Sequence, residues 1–166
     1  MTFKAFYGMT LNPFEKGIQA EHIFESGDCK QFSSRMEYFK TTKGFALVYG
    51  APGSGKTTSI RAFTAKLNPQ LYHVVYLPLS SVTVIDFYRH LAVGLGLTPC
   101  SRKVDIFHQV QDYIANAYHQ KNLTTFVIID EAQFVQQAIL NDLRLLFNFR
   151  MDSKNYAMVL LAGQPA

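Results

Sequence analysis

The hydrophobic positions of the chain alternate between short continuous runs and longer stretches with a helical period. Four runs rich in β-branched and aromatic residues predict β-strands. These runs are "GFALVYG" (Gly44–Gly50), "LYHVVYLPL" (Leu71–Leu79), "LTTFVIID" (Leu123–Asp130) and "YAMVLLAG" (Tyr156–Gly163). The third run is almost continuously apolar, which is typical of a strand buried on both faces of a parallel sheet.

Helical periods occupy most of the chain between these runs. Apolar side chains recur three or four residues apart in two clear sets, which are Val84, Phe87, Tyr88, Leu91 and Leu95, and Val104, Phe107, Val110, Ile114 and Tyr118. Residues 37–43 are predicted to end a helix that leads into the first strand, and helices are also predicted for 55–67 and 135–149. Strands that alternate with helices predict an α/β fold, a three-layer α/β/α sandwich around a mostly parallel sheet.

Length and composition limit the possible classes of protein. A chain of 166 residues with 48% hydrophobic and 17% charged residues suits one globular domain, so we expect a single domain over residues 1–166. No apolar run approaches the roughly 20 residues that span a bilayer, and the N-terminus does not resemble a secretory signal. Cys29 and Cys100 lie far apart, which argues against a disulfide framework or a zinc site. We therefore expect a cytoplasmic protein without a membrane segment.

The stretch "GAPGSGKTT" (Gly50–Thr58) matches the pattern G-x-x-x-x-G-K-[ST] of a P-loop. Glycines let such a loop turn its backbone N–H groups toward phosphate oxygens, and the following helix adds its positive end. Lys56 would bind the β- and γ-phosphates, and the Thr57 hydroxyl is suited to Mg²⁺. The candidate nucleotide contacts are Gly50, Pro52, Gly53, Ser54, Gly55, Lys56, Thr57 and Thr58.

Asp130 and Glu131 follow the buried third strand, at the edge of the sheet where α/β proteins bind ligands. Asp130 is suited to hold Mg²⁺, and Glu131 to orient the attacking water or accept its proton. The alternative is a helix N-cap with a first-turn carboxylate. A strand and two helices separate the loop from this pair, so another strand is expected between the two. This arrangement and the Glu after the metal Asp indicate the P-loop branch that hydrolyses ATP.

Gln164 follows the fourth predicted strand. Its amide could contact the γ-phosphate or the attacking water, and the alternative is a turn residue before Pro165.

Taken together, "YGMTLNPF", "GAPGSGKTT", "VIIDEAQ", "LRLLFNF" and "VLLAGQP" resemble the AAA+ ATPases that accompany transposases and the related secretion-pathway A ATPases. The resemblance covers nearly the whole chain. It implies a parallel sheet of order 5-1-4-3-2 and a helical lid, with ATP and Mg²⁺ bound by Lys56 and Thr57. It further implies that Asp130 and Glu131 serve hydrolysis and that Gln164 is the first sensor.

The resemblance also implies positions at both ends of the chain. Residues 1–40 would form a lead-in near the adenine, with Asn12, Pro13 and Phe14 as candidate contacts. The family's fifth strand, arginine finger and lid are not recognisable before residue 166. We therefore expect an incomplete core with weak hydrolysis, whose phosphate-loop strand lies at a sheet edge.

The sequence leaves the biological target of the ATPase open. A net charge of +4 mildly favours a polyanion, and Arg102 and Lys103 at a predicted helix start either contact phosphate or form an ordinary solvated turn. The first hypothesis is a helper of transposition that assembles with ATP as a homo-oligomer on duplex DNA and recruits a transposase. The alternatives are a secretion-pathway ATPase and a non-catalytic nucleotide switch.

Overall fold

The computed structural model describes residues 3–10, 12, 23–24, 26–78, 82–149 and 153–165. The helices and strands follow one another as α1 (Phe3–Phe6), α2 (Gly27–Thr42), β1 (Gly44–Tyr49), α3 (Lys56–Ala65), β2 (Tyr72–Pro78), α4 (Val84–Gly94), α5 (Lys103–Lys121), β3 (Thr124–Asp130), α6 (Gln137–Leu146) and β4 (Ala157–Gly163). The four strands agree with the four predicted runs to within one residue at each end. A short 3-10 turn, Ala132–Phe134, lies between β3 and α6.

The strands form one parallel sheet of order β1-β4-β3-β2. This confirms the predicted α/β fold and the order 1-4-3-2 within the family pattern. β4 is the last strand in the sequence, yet it lies between β1 and β3. The phosphate loop, which follows β1, is therefore brought beside the residues that follow β4.

Helices cover both faces of the sheet because the side chains of its central strands alternate. On β3, Phe126 and Ile128 pack against α2 and α3, whereas Val127 and Ile129 pack against α4, α5 and α6. Every residue of β3 is buried, as the apolar run predicted. Burial on both faces holds the carboxyl ends of the central strands in a fixed position, which is where the predicted site residues lie.

Among the described strands, β1 lies at the edge of the sheet, as expected. Ala46 and Val48 pack against the α2 and α3 side, but the opposite face of β1 is largely uncovered. Its residues Phe45, Leu47 and Tyr49 are 49%, 64% and 72% exposed. In the described part of the chain, no helix is long and apolar enough to cross a bilayer.

The helix predicted over 135–149 was too long at both ends. α6 begins at Gln137 and ends at Leu146, and Phe149 forms an antiparallel bridge with Lys154. Phe147 and Phe149 are both 7% exposed. Side chains two residues apart in a helix point to opposite sides of it. Phe147 and Phe149 can therefore be buried in the same core only because the helix has ended before them.

Side-chain caps explain where two of the helices begin. Ser26 Oγ accepts a hydrogen bond from Cys29 N at 3.2 Å before α2, and Thr83 Oγ1 accepts one from Asp86 N at 3.3 Å before α4. Such caps satisfy backbone donors that have no partner within the helix. They fix the first turns of helices that flank the sheet.

Candidate functional site

The phosphate loop connects β1 to α3, the strand–loop–helix context that its sequence pattern requires. Gly53 and Gly55 have φ of 74° and 83°, the left-handed region that favours glycine. The conformation explains why glycine occupies these two positions. A Cβ at Gly50 would lie 2.9 Å from Ser54 Oγ, so a side chain there would require the Ser54 hydroxyl to turn away.

Lys56 is the first residue of α3, and its side chain folds back over the loop. Its Nζ donates hydrogen bonds to Gly50 O at 2.8 Å and to Ala51 O at 2.9 Å. The cation therefore lies against the loop, beside the amino end of α3. Both features favour an anion at this place.

Asp130 joins the loop helix to the sheet. It ends β3 and is only 4% exposed. Its Oδ2 accepts hydrogen bonds from Thr57 Oγ1 at 2.8 Å and from the Tyr76 hydroxyl at 2.9 Å, and its Oδ1 accepts one from Glu131 N at 2.9 Å. A buried carboxylate needs such partners, because desolvation alone would disfavour its charge.

Tyr76 was missed by the sequence reasoning. It lies on β2, two residues before the strand ends, and the pairing of Pro78 with Asp130 places its hydroxyl beside the acid. Burial raises the pKa of Tyr76 to about 12, and the hydrogen bond and the charges of Asp130 and Glu131 add to the shift. Although the residue is 46% exposed, its hydroxyl end faces Asp130. The phenol is therefore a neutral donor at physiological pH.

Glu131 has a φ of 53°, an uncommon conformation for a residue with a side chain. Its Oε2 accepts a hydrogen bond from Gln133 Nε2 at 2.6 Å and a longer one from Gln164 Nε2 at 3.4 Å. Gln164 N donates to Gln133 Oε1 at 3.1 Å. Gln133 is the second residue that the sequence reasoning missed; its only signal was its place in "DEAQ".

The structure thus brings together most of the predicted site residues. Lys56 and Thr57 at the start of α3 lie beside Asp130 and Glu131 at the end of β3 and Gln164 after β4. Pro52, Gly53 and Ser54 are exposed on the loop, and Thr58 is half-buried within α3. Pro13 and Phe14 lie outside the described residues, and Asn12 is half-buried.

The oxygen atoms of Thr57 and Asp130 are the hard ligands that Mg²⁺ prefers. In the described ranges, no three His, Cys, Asp or Glu residues cluster as a complete metal cage. This donor set fits Mg²⁺ that takes its remaining ligands from phosphate and water, which is the usual arrangement for this ion.

A cavity of about 550 Å³ opens beside the phosphate loop, between α2 and β1. Its lining includes Gly50 and Lys56 from the site, Ala46 and Val48 from β1, and side chains of α2. A concave, mostly apolar space of this size with a few polar groups is typical of small-molecule sites.

A sequence family model described as an AAA domain matches residues 39–166, which include the loop, the acid pair and Gln164. The chain belongs to the AAA domain family.

This AAA domain is similar to parts of several longer proteins. It is 28% identical over 168 residues to general secretion pathway protein A of Aeromonas hydrophila, covering 98% of this chain and 30% of that protein. It is 28% identical over 141 residues to the ATP-dependent target DNA activator B of Escherichia phage Mu, covering 84% of this chain and 41% of that protein. The chain thus spans less than half the length of these relatives.

Two solved structures share the fold of the AAA domain. Cdc6p from Pyrobaculum aerophilum superposes with a TM-score of 0.64 at 15% identity, over 93% of this chain and 42% of that chain. A chain of Drosophila ORC bound to DNA superposes with a TM-score of 0.56 at 14% identity, over 83% and 77% of the two chains. At these identities the likeness describes the fold alone.

Proposed function

We propose that this AAA domain binds and hydrolyses ATP with Mg²⁺, and that the protein uses this cycle on duplex DNA to assist transposition. The observation that carries the ATPase proposal is the hydrogen bond from Thr57 to Asp130. It couples the phosphate loop to the acid pair, so that one site holds an anion cradle, a metal-ligand pair and a candidate base.

Each residue has a distinct proposed role. The loop backbone and Lys56 bind the phosphates, and Thr57 and Asp130 hold the metal ion, which when bound neutralises phosphate charge. Glu131 accepts a proton from the water that attacks the γ-phosphorus, and the bond to the leaving oxygen of ADP breaks. Gln164 donates its amide to the γ-phosphate or to this water.

The adenine is proposed to occupy the cavity beside the loop. α2 lines this cavity and belongs partly to the lead-in of residues 1–40, which supports the proposal that the lead-in contributes to one nucleotide-binding core. Asn12, Pro13 and Phe14 remain proposed contacts of the base.

The DNA part of the proposal rests on a relative and on charge. The phage Mu relative is named an ATP-dependent target DNA activator. Lys43, Lys121 and Lys154 lie shortly before β1, β3 and β4, at the edge of the sheet opposite the phosphate loop. This lysine edge would bind phosphates of duplex DNA without reading sequence, and the bound homo-oligomer would recruit a transposase.

Arg102 and Lys103 do not support the DNA surface. Arg102 pairs with Asp105 through two hydrogen bonds of 2.8 and 3.1 Å, and Lys103 forms an ion pair with Asp142. Both cations therefore have an acidic partner within the chain, which favours the ordinary structural interpretation of this helix start.

A secretion function is the second candidate. The similarity to general secretion pathway protein A covers 98% of this chain, more than the similarity to the phage protein covers. In that case the domain would hydrolyse ATP without responding to DNA.

The ATP proposal is tested by calorimetry of ATP binding with Mg²⁺, followed by a phosphate-release assay. Lys56→Ala should weaken ATP binding about 10- to 100-fold, since it removes a charged hydrogen-bond donor to phosphate. Lys66→Ala, at the other end of α3, is the matched control and should bind as the wild type does. Equal affinity of Lys56→Ala and wild type would contradict the site, and binding without phosphate release would contradict hydrolysis.

The DNA proposal is tested by the salt dependence of duplex binding. Combined replacement of Lys43, Lys121 and Lys154 by Ala should reduce the slope of log affinity against log salt by about three, one unit for each lost phosphate contact. Arg102→Ala should leave the slope unchanged. An unchanged slope in the triple variant would exclude the lysine edge, and absence of binding by the wild type would favour the secretion function.

A further inference from the structure

We infer that Gln133 is a positioning residue that holds Glu131 in place for catalysis and connects it to the phosphate loop through the end of β4. The inference rests on the proposed ATPase function and adds a residue to which the motif assigns no role. It is drawn from the two-ended hydrogen bonding of one amide side chain.

Both ends of the Gln133 amide are used. Nε2 donates to Glu131 Oε2 at 2.6 Å, and a hydrogen bond to a charged carboxylate is stronger than one between neutral groups. Oε1 accepts from the backbone N–H of Gln164 at 3.1 Å. An amide can do both only in one orientation, so the side chain has a defined rotamer between two site residues.

The contact leaves the Glu131 carboxylate asymmetric. Oε2 accepts from Gln133 and, at 3.4 Å, from Gln164. Among the residues that the structure describes, Oε1 of Glu131 accepts no hydrogen bond. Gln133 therefore occupies one oxygen and leaves the other to accept the proton of the attacking water.

Glu131 needs such a restraint because its backbone is strained. Its φ of 53° costs free energy in a residue with a side chain, and it begins the one-turn 3-10 helix that carries Gln133. The turn bends the chain back so that Gln133 reaches Glu131, only two residues earlier. The hydrogen bond helps to offset the strain and fixes the carboxylate.

The amide oxygen of Gln133 lies close to the backbone of Gly163. A Cβ on Gly163 would lie 3.1 Å from Gln133 Oε1 and 3.4 Å from Gln133 N, so the absence of a side chain at Gly163 makes room for the amide. Gly163 O in turn accepts a hydrogen bond from Gly50 N at 3.3 Å. A movement of the phosphate loop can thus reach Glu131 through Gly163, Gln164 and Gln133.

The kinetic test compares ATP hydrolysis by wild type, Gln133→Ala, Gln133→Glu and the control Gln137→Ala. Gln137 is exposed at the start of α6, where it donates a hydrogen bond to Asn141, and its replacement should have no effect. Gln133→Ala should lower kcat about tenfold to hundredfold with KM within about twofold, since displacement of a reacting group by about 1 Å costs this much. Gln133→Glu keeps the acceptor for Gln164 N but places a second carboxylate beside Glu131, and should lower kcat at least as far.

The kinetic outcome distinguishes positioning from a structural role. A raised KM with unchanged kcat, or wild-type rates in Gln133→Glu, would overturn the inference. Absence of hydrolysis by the wild type would instead contradict the proposed function, and a second measurement then tests the contact itself.

That measurement is the ¹⁵N–¹H spectrum of the side-chain amides. Glu131→Ala should move the Gln133 amide protons upfield, because they lose a charged acceptor, and should leave those of Gln137 in place. Gln133→Ala should shift the backbone amide of Gln164. Unchanged Gln133 protons in Glu131→Ala would overturn the inference independently of any enzyme activity.

Discussion

Gly94, the last residue of α4, allows this helix to lie directly against β2. A Cβ built on Gly94 would lie 2.5 Å from Val75 Cγ1 and 3.7 Å from Val75 Cβ. Carbon atoms in contact are ordinarily about 3.5–4.0 Å apart, so the closer pair would overlap by at least about 1 Å. We predict that Gly94→Ala destabilises the protein although it replaces glycine in a helix.

The magnitude follows from the surroundings of Val75. This residue is 2% exposed and β-branched, so it cannot rotate freely out of the way. Overpacking of this kind costs about 1–3 kcal/mol, and the better helix propensity of alanine offsets less than about 1 kcal/mol at a helix end. The expected net loss is about 1–2 kcal/mol, or a decrease of about 2–8 °C in Tm.

The assay is urea unfolding followed by circular dichroism, combined with a double-mutant cycle. Val75→Ala alone should destabilise by about 1–3 kcal/mol, because it removes buried methyl groups. Gly94→Ala should cost almost nothing further in the Val75→Ala background, where its Cβ fills the space left by Cγ1. The control Gly27→Ala adds a Cβ with no neighbour within 4 Å and should be neutral or stabilising.

Two results would refute the reasoning. One is stabilisation by Gly94→Ala, and the other is additivity of the two substitutions within about 0.5 kcal/mol. The expected non-additivity would also concern the candidate site. Val75 precedes Tyr76, so a displacement of β2 would move the Tyr76 hydroxyl away from Asp130.

Two further predictions concern Tyr76 and Thr83. The pKa of Tyr76 is raised to about 12, so the difference in phenolate absorbance between wild type and Tyr76→Phe should develop near pH 12. The unfolded phenol ionises near pH 10, so the stabilisation that the neutral Tyr76 phenol gives the folded protein is complete below pH 10. It is lost as the pH rises to about 12, and Tyr76→Phe should not show this loss. Titration near pH 10 would contradict the burial of the hydroxyl and its contact with Asp130. Thr83→Ala removes the hydroxyl that caps α4 and should lower the free energy of unfolding, measured by urea denaturation, by about 1 kcal/mol. Thr83→Ser keeps the hydroxyl and should keep the wild-type stability. Equal stability of the two variants would argue against the cap.

The chemistry of the site is largely local in the sequence. The phosphate loop depends on glycine conformations and on the strand and helix that flank it, and both can be recognised within about 20 residues of Lys56. The placement of Asp130 at the end of a buried strand follows from one apolar run. Such features depend on local conformation, which is why the four predicted strands agree with the structure. The hydrogen bond between Thr57 and Asp130, which are 73 residues apart, was not predicted.

The neighbours of these residues depend on tertiary structure. Tyr76 reaches Asp130 only because β2 pairs with β3 in one register, and no local pattern specifies that register across 54 residues. Gln133 reaches Gln164 only because β4 lies between β1 and β3. The helix α6 ends before Phe147 and Phe149 because both side chains are buried in the same core. The sequence by itself determined the loop, the acid pair and the fold class, since these depend on local conformation and hydrophobic period. Only the tertiary structure determined which distant side chains form hydrogen bonds with the acid pair, because those hydrogen bonds connect segments that are far apart in the sequence.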